Sequence, residues 1–218
     1  MALQQAQNSP VIAITHAGLV DYNEALAMQR MFHQEVAAGD RSNSLIFLEH
    51  PSVYTAGKRT QDFERPSDGT PVIDVDRGGR ITWHGPGQLV GYPIVKLAKP
   101  TELVGFVRTL ESALIQLCSE FGIASQRVDG RSGVWVCDEK GERKIAAIGI
   151  RVASGVTMHG FALNVCPDLN FFGQIVPCGI DDAAVTSMAR ELAREITIAE
   201  VTTALEKHLV EALGKVSA

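Results

Sequence analysis

The sequence predicts a single α+β domain in which a mixed or antiparallel sheet is flanked by helices. Strand-like segments follow one another in hairpin order in the middle of the chain, and helical segments do not alternate strictly with them. The chain has 218 residues without a repeat, a low-complexity tract or an interdomain linker, which fits one domain. Residues 1–9 are polar and aperiodic, so we expect a flexible tail before a domain at residues 10–218.

The first predicted helix has signals at both ends. It runs from about Tyr22 to Ala38, with Asp21 placed as the N-cap and Glu24 at capping-box spacing. Gly39 supplies the residue at which such a helix ends. Around this helix the pattern predicts a short strand at Val11–Ile14, a buried strand at Ser44–Leu48, a turn-rich stretch at Glu49–Lys58 and a surface loop at Arg59–Thr70.

The second half of the chain contains the clearest helical periodicity and a predicted hairpin. From Glu102 to Phe121, apolar residues recur at helical spacing and form one stripe. The hairpin pairs Val134–Cys137 with Ile145–Val152 across Asp138–Arg143. The other predicted elements are strands at Val72–Val75, Ile81–Trp83, Leu89–Val95 and Thr157–Val165, an irregular segment at Cys166–Gly179, and helices at about Ala183–Arg194 and Ile198–Leu213, the last with Thr197 and Glu200 at capping-box spacing.

Composition and net charge indicate a globular protein and argue against several other classes of protein. Hydrophobic residues make up 45% and charged residues 21% of the chain, as in a globular protein with a substantial core. The net charge of −5 argues against general nucleic-acid binding, and no apolar run approaches the ~20 residues that span a bilayer. The four cysteines lack CxxC spacing and no signal-peptide pattern precedes them. We therefore expect free thiols in the cytoplasm and no structural zinc site. Cys118 lies on the apolar stripe of the predicted helix from Glu102 to Phe121 and is expected in the core, and Cys137 and Cys166 are expected to have structural roles.

One segment carries an unusual number of glycines. Residues 77–94 read Arg-Gly-Gly-Arg-Ile-Thr-Trp-His-Gly-Pro-Gly-Gln-Leu-Val-Gly-Tyr-Pro-Ile, with five glycines among residues that favour strands. Turns explain one or two of these glycines, and so many together indicate a ligand that lies along exposed backbone. The segment lacks the Gly-Lys-Ser/Thr of a phosphate loop and the strand-to-helix GxGxxG spacing of a dinucleotide site. Its shape suits an extended, mostly apolar ligand.

Cys178 is the most suggestive single residue for chemistry. It lies in Val-Pro-Cys-Gly-Ile, where Gly179 leaves open space and an unobstructed N–H beside the sulfur, a setting that suits a nucleophile and an oxyanion donor. A small buried cysteine in a turn is the structural alternative. A thiol with a pKa of about 8.5 needs a neighbour to ionise it, and the candidates are Lys144, His84 and His159. On local sequence alone, Lys144 fits a solvent-exposed strand end better than a functional site, whereas His159 fits a hydrogen-bonded core histidine and a functional residue equally.

Four separate motifs, in this order, together resemble one family. They are residues 77–89 of the glycine segment, Arg-Lys-Ile-Ala-Ala-Ile-Gly at 143–149, His-Gly-Phe-Ala-Leu-Asn-Val at 159–165 and Pro-Cys-Gly-Ile at 177–180. The family is that of the octanoyl-[acyl-carrier-protein]–protein N-octanoyltransferases, also called lipoyl(octanoyl) transferases or lipoate–protein ligase B. The likeness covers most of the chain, from about Tyr22 to Met188. Trp83 is a departure, since a tyrosine or phenylalanine is common at that position.

The resemblance implies a fold similar to the catalytic domains of biotin and lipoate ligases. It also implies the transfer of an octanoyl group from acyl carrier protein to a specific lysine of a lipoyl domain, the first step in making protein-bound lipoate, with no cofactor. By motif match, Cys178 takes the place of the acyl-accepting cysteine and Lys144 that of the lysine that lowers its pKa. The family's substrate-binding segments match Arg77, Gly78, Gly79, Arg80, Ile81, Thr82, Trp83, His84, Ala147, Ile148, Gly149, Gly160, Phe161 and Ala162.

The implied chemistry gives supporting roles to neighbouring groups. We expect the Gly179 N–H or Lys144 to stabilise the anionic oxygen that develops on the acyl carbonyl. Lys144, once it has lost its own proton, would accept a proton from the target amine. His84 and His159 are expected to position the chain or orient these groups rather than to act as the primary base.

The implied partners are two kinds of protein. They are octanoyl-acyl carrier protein and the lipoyl domains of 2-oxoacid dehydrogenase complexes and of the glycine cleavage H protein; no nucleic acid and no membrane is expected. Because such partners are generally acidic, we expect a local basic patch despite the negative total charge. Its predicted members are Arg77, Arg80 and Arg143, together with Lys58 and Arg59.

Three other functions fit parts of the sequence. An ATP-dependent lipoate or biotin ligase of similar fold would need an adenylate site and no thiol nucleophile. A cysteine hydrolase would use Cys178 with His159 and would admit water to the acyl-enzyme. A non-catalytic fatty-acyl binder would keep the glycine-lined groove and have no use for Cys178 or Lys144.

Overall fold

The elements follow one another in nearly the order that the sequence predicts. The computed structural model describes residues 12–67, 69–175 and 184–218. Its helices are α1 (Tyr22–Ala38), α2 (Leu103–Glu120), α3 (Met188–Leu192) and α4 (Ile198–Gly214). Its strands are β1 (Ala13–Leu19), β2 (Ser44–Glu49), β3 (Val53–Ala56), β4 (Val72–Asp74), β5 (Thr82–His84), β6 (Gln88–Ile94), β7 (Gln126–Val128), β8 (Arg131–Asp138), β9 (Gly141–Ala153), β10 (Val156–Asn164) and β11 (Ala184–Val185).

Eight of the strands within these ranges form one mixed sheet. Its order is β1–β2–β6–β10–β9–β8–β7, and β11 pairs with β9 outside this path. The β1–β2 and β11–β9 pairs are parallel, whereas the remaining neighbours are antiparallel. A smaller sheet has the order β4–β3–β5. The predicted mixed sheet is therefore confirmed.

Both faces of the main sheet are covered by helices. On β2, Leu45 and Phe47 belong to the core cluster that contains α2 and α4, whereas Ile46 and Leu48 belong to the cluster that contains α1. This alternation follows from the period of two in a strand, which sends successive side chains to opposite faces. A strand that is buried on both faces reads as a continuous apolar run, which is the pattern of residues 44–48.

Local signals set the ends of α1 as predicted. The Asp21 carboxylate accepts hydrogen bonds from the backbone N–H groups of Asn23 (2.8 Å) and Glu24 (3.4 Å). Gly39 ends the helix with a φ of +87°, a conformation that glycine adopts without the clash of a Cβ atom. Its N–H donates to the carbonyls of Glu35 and Val36, which would otherwise lack partners.

Two segments differ from the prediction in the type of element, and β7 forms where no element was predicted. The stretch predicted as turns contains β3, because Tyr54 and its neighbours are buried between β4 and β5. The helix predicted from Ala183 is replaced by β11 and the short α3. Ala184–Val185 pairs with β9, and Ser187 caps α3 by accepting from the Arg190 N–H.

Two further predictions concern the tail at residues 1–9 and the presence of membrane-spanning helices. The predicted tail at residues 1–9 lies outside the described residues. Across the ranges that are described, no helix has both the length and the apolar character that crossing a membrane requires.

The cap of α1 gives a stability prediction. We expect Asp21→Ala to lower the free energy of unfolding by about 1 kcal/mol, because two N–H groups lose their acceptor. Asp21→Asn keeps a side-chain acceptor and serves as the matched control, with a smaller loss. Urea unfolding followed by circular dichroism measures both values, and equal losses in the two variants would contradict the assignment of the cap.

Candidate active site

A cavity of about 300 Å³ opens on the α1 face of the main sheet. Strand β6 and helix α1 supply its inner wall, β9 and β10 supply its floor, and the loops before β5 and β8 supply its rim. The lining contains twelve of the fourteen residues predicted to bind substrate: Arg77, Gly79, Arg80, Ile81, Thr82, His84, Ala147, Ile148, Gly149, Gly160, Phe161 and Ala162.

The floor consists of small residues that face one another across two strands. Ala147 pairs with Ala162, and Gly149 pairs with Gly160, in the antiparallel register of β9 and β10. At Gly160 an added Cβ atom would lie 1.9 Å from the Gly91 carbonyl oxygen, so no larger residue fits there. The intervening side chains of residues 148 and 161 belong to the core on the opposite face. The floor is thus built of small residues, and at Gly149 and Gly160 the space that a side chain would take is filled by the protein itself.

Arg77 forms a wall of the cavity instead of part of a surface patch. Its guanidinium donates to the carbonyl (2.8 Å) and hydroxyl (2.9 Å) oxygens of Thr55, and to the carbonyl oxygens of Arg80 (2.8 Å) and Gly78 (3.0 Å). An added Cβ atom at Gly149 would lie 3.0 Å from the Arg77 Cδ, so the arginine stem rests directly on the floor. These bonds tie β3 to the glycine segment and hold the wall in place.

The predicted basic patch is wrong for most of its members. Arg77 is buried in the contacts just described, and Arg143 is buried between two carboxylates that raise the pKa of its guanidinium. Arg80 lies on the cavity rim but donates to a fully buried glutamate at 2.6 Å. Lys58 and Arg59 are exposed, and Arg59 lines the cavity. Pairing of this kind depends on three-dimensional neighbours and carries no signal in the sequence.

Lys144 lies in the cavity lining near one end of the floor. It pairs with Trp135 of β8 on one side and with Val185 of β11 on the other. Its Nζ atom is 4.5 Å from the centroid of the Trp135 ring, a cation–π contact. The side chain is only 8% exposed, so the alternative of a solvent-exposed strand end is wrong.

The predicted nucleophile Cys178 and its neighbour Gly179 lie outside the described residues. Of the other cysteines, Cys118 is buried as predicted, and burial raises its pKa to about 11. Cys166 is exposed, contrary to the structural role expected for it. That Cys178 is a reactive thiol therefore stays a prediction, supported by the residues that flank it in the sequence.

His84 is buried in the cavity wall as a neutral imidazole. Burial, reinforced by the neighbouring His50, lowers its pKa from 6.5 to about 3. Its Nδ1 atom lies 2.7 Å from the Gln88 Oε1, and its Nε2 atom lies 3.4 Å from the Thr55 hydroxyl oxygen. An imidazole with such a low pKa does not accept protons near neutral pH, which argues against His84 as the primary base.

His159 lies at the opposite end of the floor from Lys144. Its Nε2 atom is 2.8 Å from the Asp76 carboxylate, and its backbone N–H donates to the Gln29 side chain at 2.9 Å. The φ of +58° is uncommon for a residue other than glycine and costs roughly 1 kcal/mol. Burial lowers the pKa of the imidazole, while Asp76 opposes this shift. His159 is therefore a buried, hydrogen-bonded histidine that also lines the cavity.

Trp83 and Gly78, both predicted to bind substrate, are not in the cavity lining. The Trp83 ring stacks on Phe171 at 4.9 Å between centroids, and its indole N–H donates to the Ser52 hydroxyl at 2.9 Å. An added Cβ atom at Gly85 would lie 2.0 Å from this ring. Glycine is therefore required at this position by the protein's own packing and not by a ligand, which corrects the reason predicted for it.

Several lining residues have no counterpart in the predicted site. Two are buried tyrosines, one at the start of α1 and one on β6; burial raises the pKa of the first to about 12. A polar aromatic residue inside an apolar strand is a signal that sequence reasoning could have used. The set comprises Tyr22, Val90, Tyr92, Gly130, Arg131 and Ser132. No group of three or more metal-ligating side chains occurs within the described part of the chain.

The environment of His84 gives a spectroscopic prediction. We expect the imidazole to stay neutral, with its proton on Nδ1, down to about pH 5, because its pKa is near 3. The unfolded chain takes up this proton below about pH 6.5, so stability falls as pH drops through that value. Nitrogen-15 NMR of the histidine side chains, with His84→Asn to assign the signal, measures the tautomer. Protonation with a midpoint above pH 6 would contradict this environment.

Comparison with known proteins identifies the family. Residues 21–210 match the family model described as the lipoyl protein ligase A/B catalytic domain. The chain is 57% identical over 203 residues to an octanoyltransferase of Salinispora tropica, covering 92% of this chain and 95% of the relative. It is 58% identical over 213 residues to an octanoyltransferase of Clavibacter sepedonicus, covering 95% of this chain and 92% of the relative.

Solved structures of ligases share the fold. A bi-partite lipoate protein ligase studied with its E2 lipoyl domain, from Thermoplasma acidophilum, aligns with a TM-score of 0.68 at 14% identity, covering 93% of this chain and 84% of that chain. A biotin protein ligase from Aquifex aeolicus, in complex with biotin and ATP, aligns with a TM-score of 0.53 at 14% identity, covering 93% and 71%. The predicted likeness to biotin and lipoate ligase folds is confirmed. The chain belongs to the lipoyl protein ligase A/B catalytic-domain family, and within it to the octanoyltransferases.

Proposed function

We propose that this octanoyltransferase carries its octanoyl group on Cys178, taking it from an acyl carrier protein and delivering it to a lysine of a lipoyl domain. The main support for this proposal is the position of Lys144, which is buried at one end of the cavity floor formed by small residues of β9 and β10. Val185, which pairs with Lys144, follows Cys178 by seven positions in the sequence. A cation in this setting favours the thiolate form of a neighbouring cysteine.

The floor supports the choice of an acyl substrate. Ala147 and Ala162, which pair across β9 and β10 and line the cavity, present only methyl groups to an extended chain. Burial of each methylene contributes about 0.8 kcal/mol, so an eight-carbon acyl group gains roughly 5 kcal/mol in a fitted slot. The same segments, 147–149 and 160–162, match the family's substrate-binding segments by motif.

In the first step, the Cys178 thiolate attacks the carbonyl carbon of the octanoyl thioester. The bond to the carrier sulfur breaks, a new thioester forms on Cys178, and the carrier thiolate takes a proton from the Lys144 ammonium group. The Gly179 N–H stabilises the oxygen that becomes anionic during the attack. One thioester replaces another, so no ATP is consumed.

In the second step, the amine of the target lysine attacks the acyl-enzyme. Lys144, neutral after the first step, accepts the proton that the amine loses as the amide bond forms. The bond between the acyl carbon and the Cys178 sulfur breaks, and the thiolate is restored beside the Lys144 ammonium group. Amide formation from a thioester is downhill and completes the transfer.

The same proposal implies which part of the chain acts, in which compartment, and on which acceptor proteins. One catalytic domain, residues 10–218, carries out both steps in the cytoplasm. The acceptors are the lipoyl domains of 2-oxoacid dehydrogenase complexes and of the glycine cleavage H protein. The shared fold of lipoate ligases is consistent with a lipoyl-domain acceptor, since one such relative was studied with its E2 lipoyl domain.

The acyl-enzyme is tested by intact-protein mass spectrometry. We expect incubation with octanoyl-acyl carrier protein, without ATP, to add one octanoyl group to the wild-type protein, and apo-lipoyl domain to remove it. Cys178→Ser should form no thioester. Cys166→Ser removes an exposed thiol from the same protein and serves as the matched control, with the adduct unchanged.

The other outcomes of this experiment identify the alternative functions. No adduct without ATP, but transfer with ATP, would indicate a ligase. An adduct that water discharges as fast as the lipoyl domain would indicate a hydrolase. Non-covalent octanoate alone would indicate a binding protein. An adduct that persists in Cys178→Ser would assign the nucleophile to another residue.

The role of Lys144 is tested by the reactivity of the thiol. We expect Lys144→Met to slow alkylation of Cys178 at pH 7 by roughly tenfold and to move its pH dependence upward, because the thiolate loses its cation. Lys140→Met, which changes an exposed lysine of the same hairpin, is the control. Peptide mass spectrometry after timed iodoacetamide treatment measures the rate at Cys178 alone. Equal rates in both variants would remove Lys144 from this role.

A further inference from the structure

A chain of buried polar side chains continues along the same face of the sheet as the cavity floor, next to Ala147 and Ala162. The Asn164 Nδ2 group donates to the Thr186 carbonyl oxygen (2.9 Å), and the Gln88 Nε2 group donates to the Asn164 Oδ1 atom (2.9 Å). The Gln88 Oε1 atom lies 2.7 Å from the Nδ1 atom of His84. Gln88 and Asn164 face each other in the register of β6 and β10, and both are almost fully buried.

The direction of this chain is fixed by acceptors that cannot donate. The backbone carbonyl of Thr186 only accepts, so Asn164 must present its amide nitrogen there and its oxygen to Gln88. A second carbonyl, that of Trp83, accepts from the same Gln88 nitrogen at 3.3 Å. The Gln88 oxygen therefore faces His84, whose Nδ1 must carry the proton. Each member has one orientation that satisfies its neighbours.

The chain continues on the other side of the imidazole. With the proton on Nδ1, the His84 Nε2 atom accepts from the Thr55 hydroxyl. The same hydroxyl oxygen accepts from the Arg77 guanidinium at 2.9 Å. The polar chain thus connects the arginine wall at one side of the cavity with Thr186 at the other.

Thr186 holds the strand that borders Lys144. Its backbone N–H donates to the Lys144 carbonyl at 3.0 Å, and the preceding residue, Val185, pairs with Lys144 in parallel register. Its hydroxyl donates to Glu191, which ties the same residue to α3. Strand β11 has only two residues, so few other contacts can fix its position.

We propose that Asn164 and Gln88 are positioning residues for octanoyl transfer, because they fix Thr186 and with it the strand β11 beside Lys144. The inference rests on the proposed function only in naming Lys144 as a reacting group. Neither residue touches the acyl group in this role. Both act through the Thr186 carbonyl, which sets how closely β11 and Lys144 are held together.

The cost of burying these amides supports a specific role. Two amide side chains between β6 and β10 lose their contacts with water and recover them only through this one arrangement. An apolar pair of similar volume would pack the sheet without that requirement. Apolar side chains would leave the Thr186 carbonyl without the amide donor that now holds it.

Asn164→Leu provides the test, because leucine fills a similar volume and makes no hydrogen bond. We expect the turnover number for octanoyl transfer to fall by about 10- to 100-fold, with the KM for the octanoyl donor changed less than twofold. Backbone amide hydrogen exchange at Thr186 should become at least about tenfold faster. Asn164→Asp keeps an acceptor for Gln88 and, in its ionised form, replaces the donor to Thr186 with a carboxylate oxygen that repels the Thr186 carbonyl, so it should show the same two changes.

Asn43→Leu is the matched control for a buried asparagine. Asn43 accepts from the Lys96 N–H at 2.8 Å, between β2 and the chain after β6, so its loss destabilises the sheet away from Thr186. We expect this variant to keep the wild-type turnover number and the wild-type exchange rate at Thr186. Thermal unfolding of the variants shows whether each one is folded at the assay temperature.

The results of these experiments distinguish a failure of the positioning role of Asn164 from a failure of the proposed function. If wild-type protein forms no acyl-enzyme, the proposed function fails, while the exchange rate at Thr186 still reports whether Asn164 fixes β11. Unchanged exchange in both Asn164 variants would overturn the positioning role. Faster exchange with an unchanged turnover number, or an equal loss of turnover in Asn43→Leu, would overturn its connection to catalysis.

Discussion

The register between β9 and β10 is the constraint on which the site depends. Residues 147–149 and 160–162 meet so that small side chains line one face and bulky ones enter the core on the other. Because the side-chain period of a strand is two, a slip of one residue would move the bulky side chains into the cavity. The same register places Lys144 at one end of the floor and His159 at the other. The shape of the cavity and the spacing of its polar groups are thus set together.

Two different environments meet at this floor. Its small side chains suit a hydrocarbon chain, whereas the walls and the adjoining part of the same sheet face contain buried amides, a neutral imidazole and the Arg77 guanidinium. The polar groups are hydrogen-bonded to one another or to backbone, so they stay in place without water. Ligases that bind ATP share the fold, and the fold therefore does not determine the chemistry. What distinguishes the transferase reaction is the proposed pairing of Cys178 with Lys144.

The sequence was sufficient for the elements whose signals are local. The cap at Asp21, the amphipathic helices and the small-residue motifs on β9 and β10 all depend on neighbours within a few positions. The sequence was insufficient where contacts between residues far apart in the chain determine the structure. The strand β3 forms because two other strands cover it, Arg143 is removed from the surface by two carboxylates, and Gly85 is required by the ring of Trp83. Such partners come together only in the folded chain.

A crystal structure of the protein after reaction with octanoyl-acyl carrier protein would show where the acyl chain lies. The predicted result is a hydrocarbon chain lying along residues 147–149 and 160–162, with its carbonyl end at Lys144 and its methyl end toward His159. A chain bound away from this floor, or one with its carbonyl end at His159, would contradict the claim that the β9–β10 register builds the acyl site.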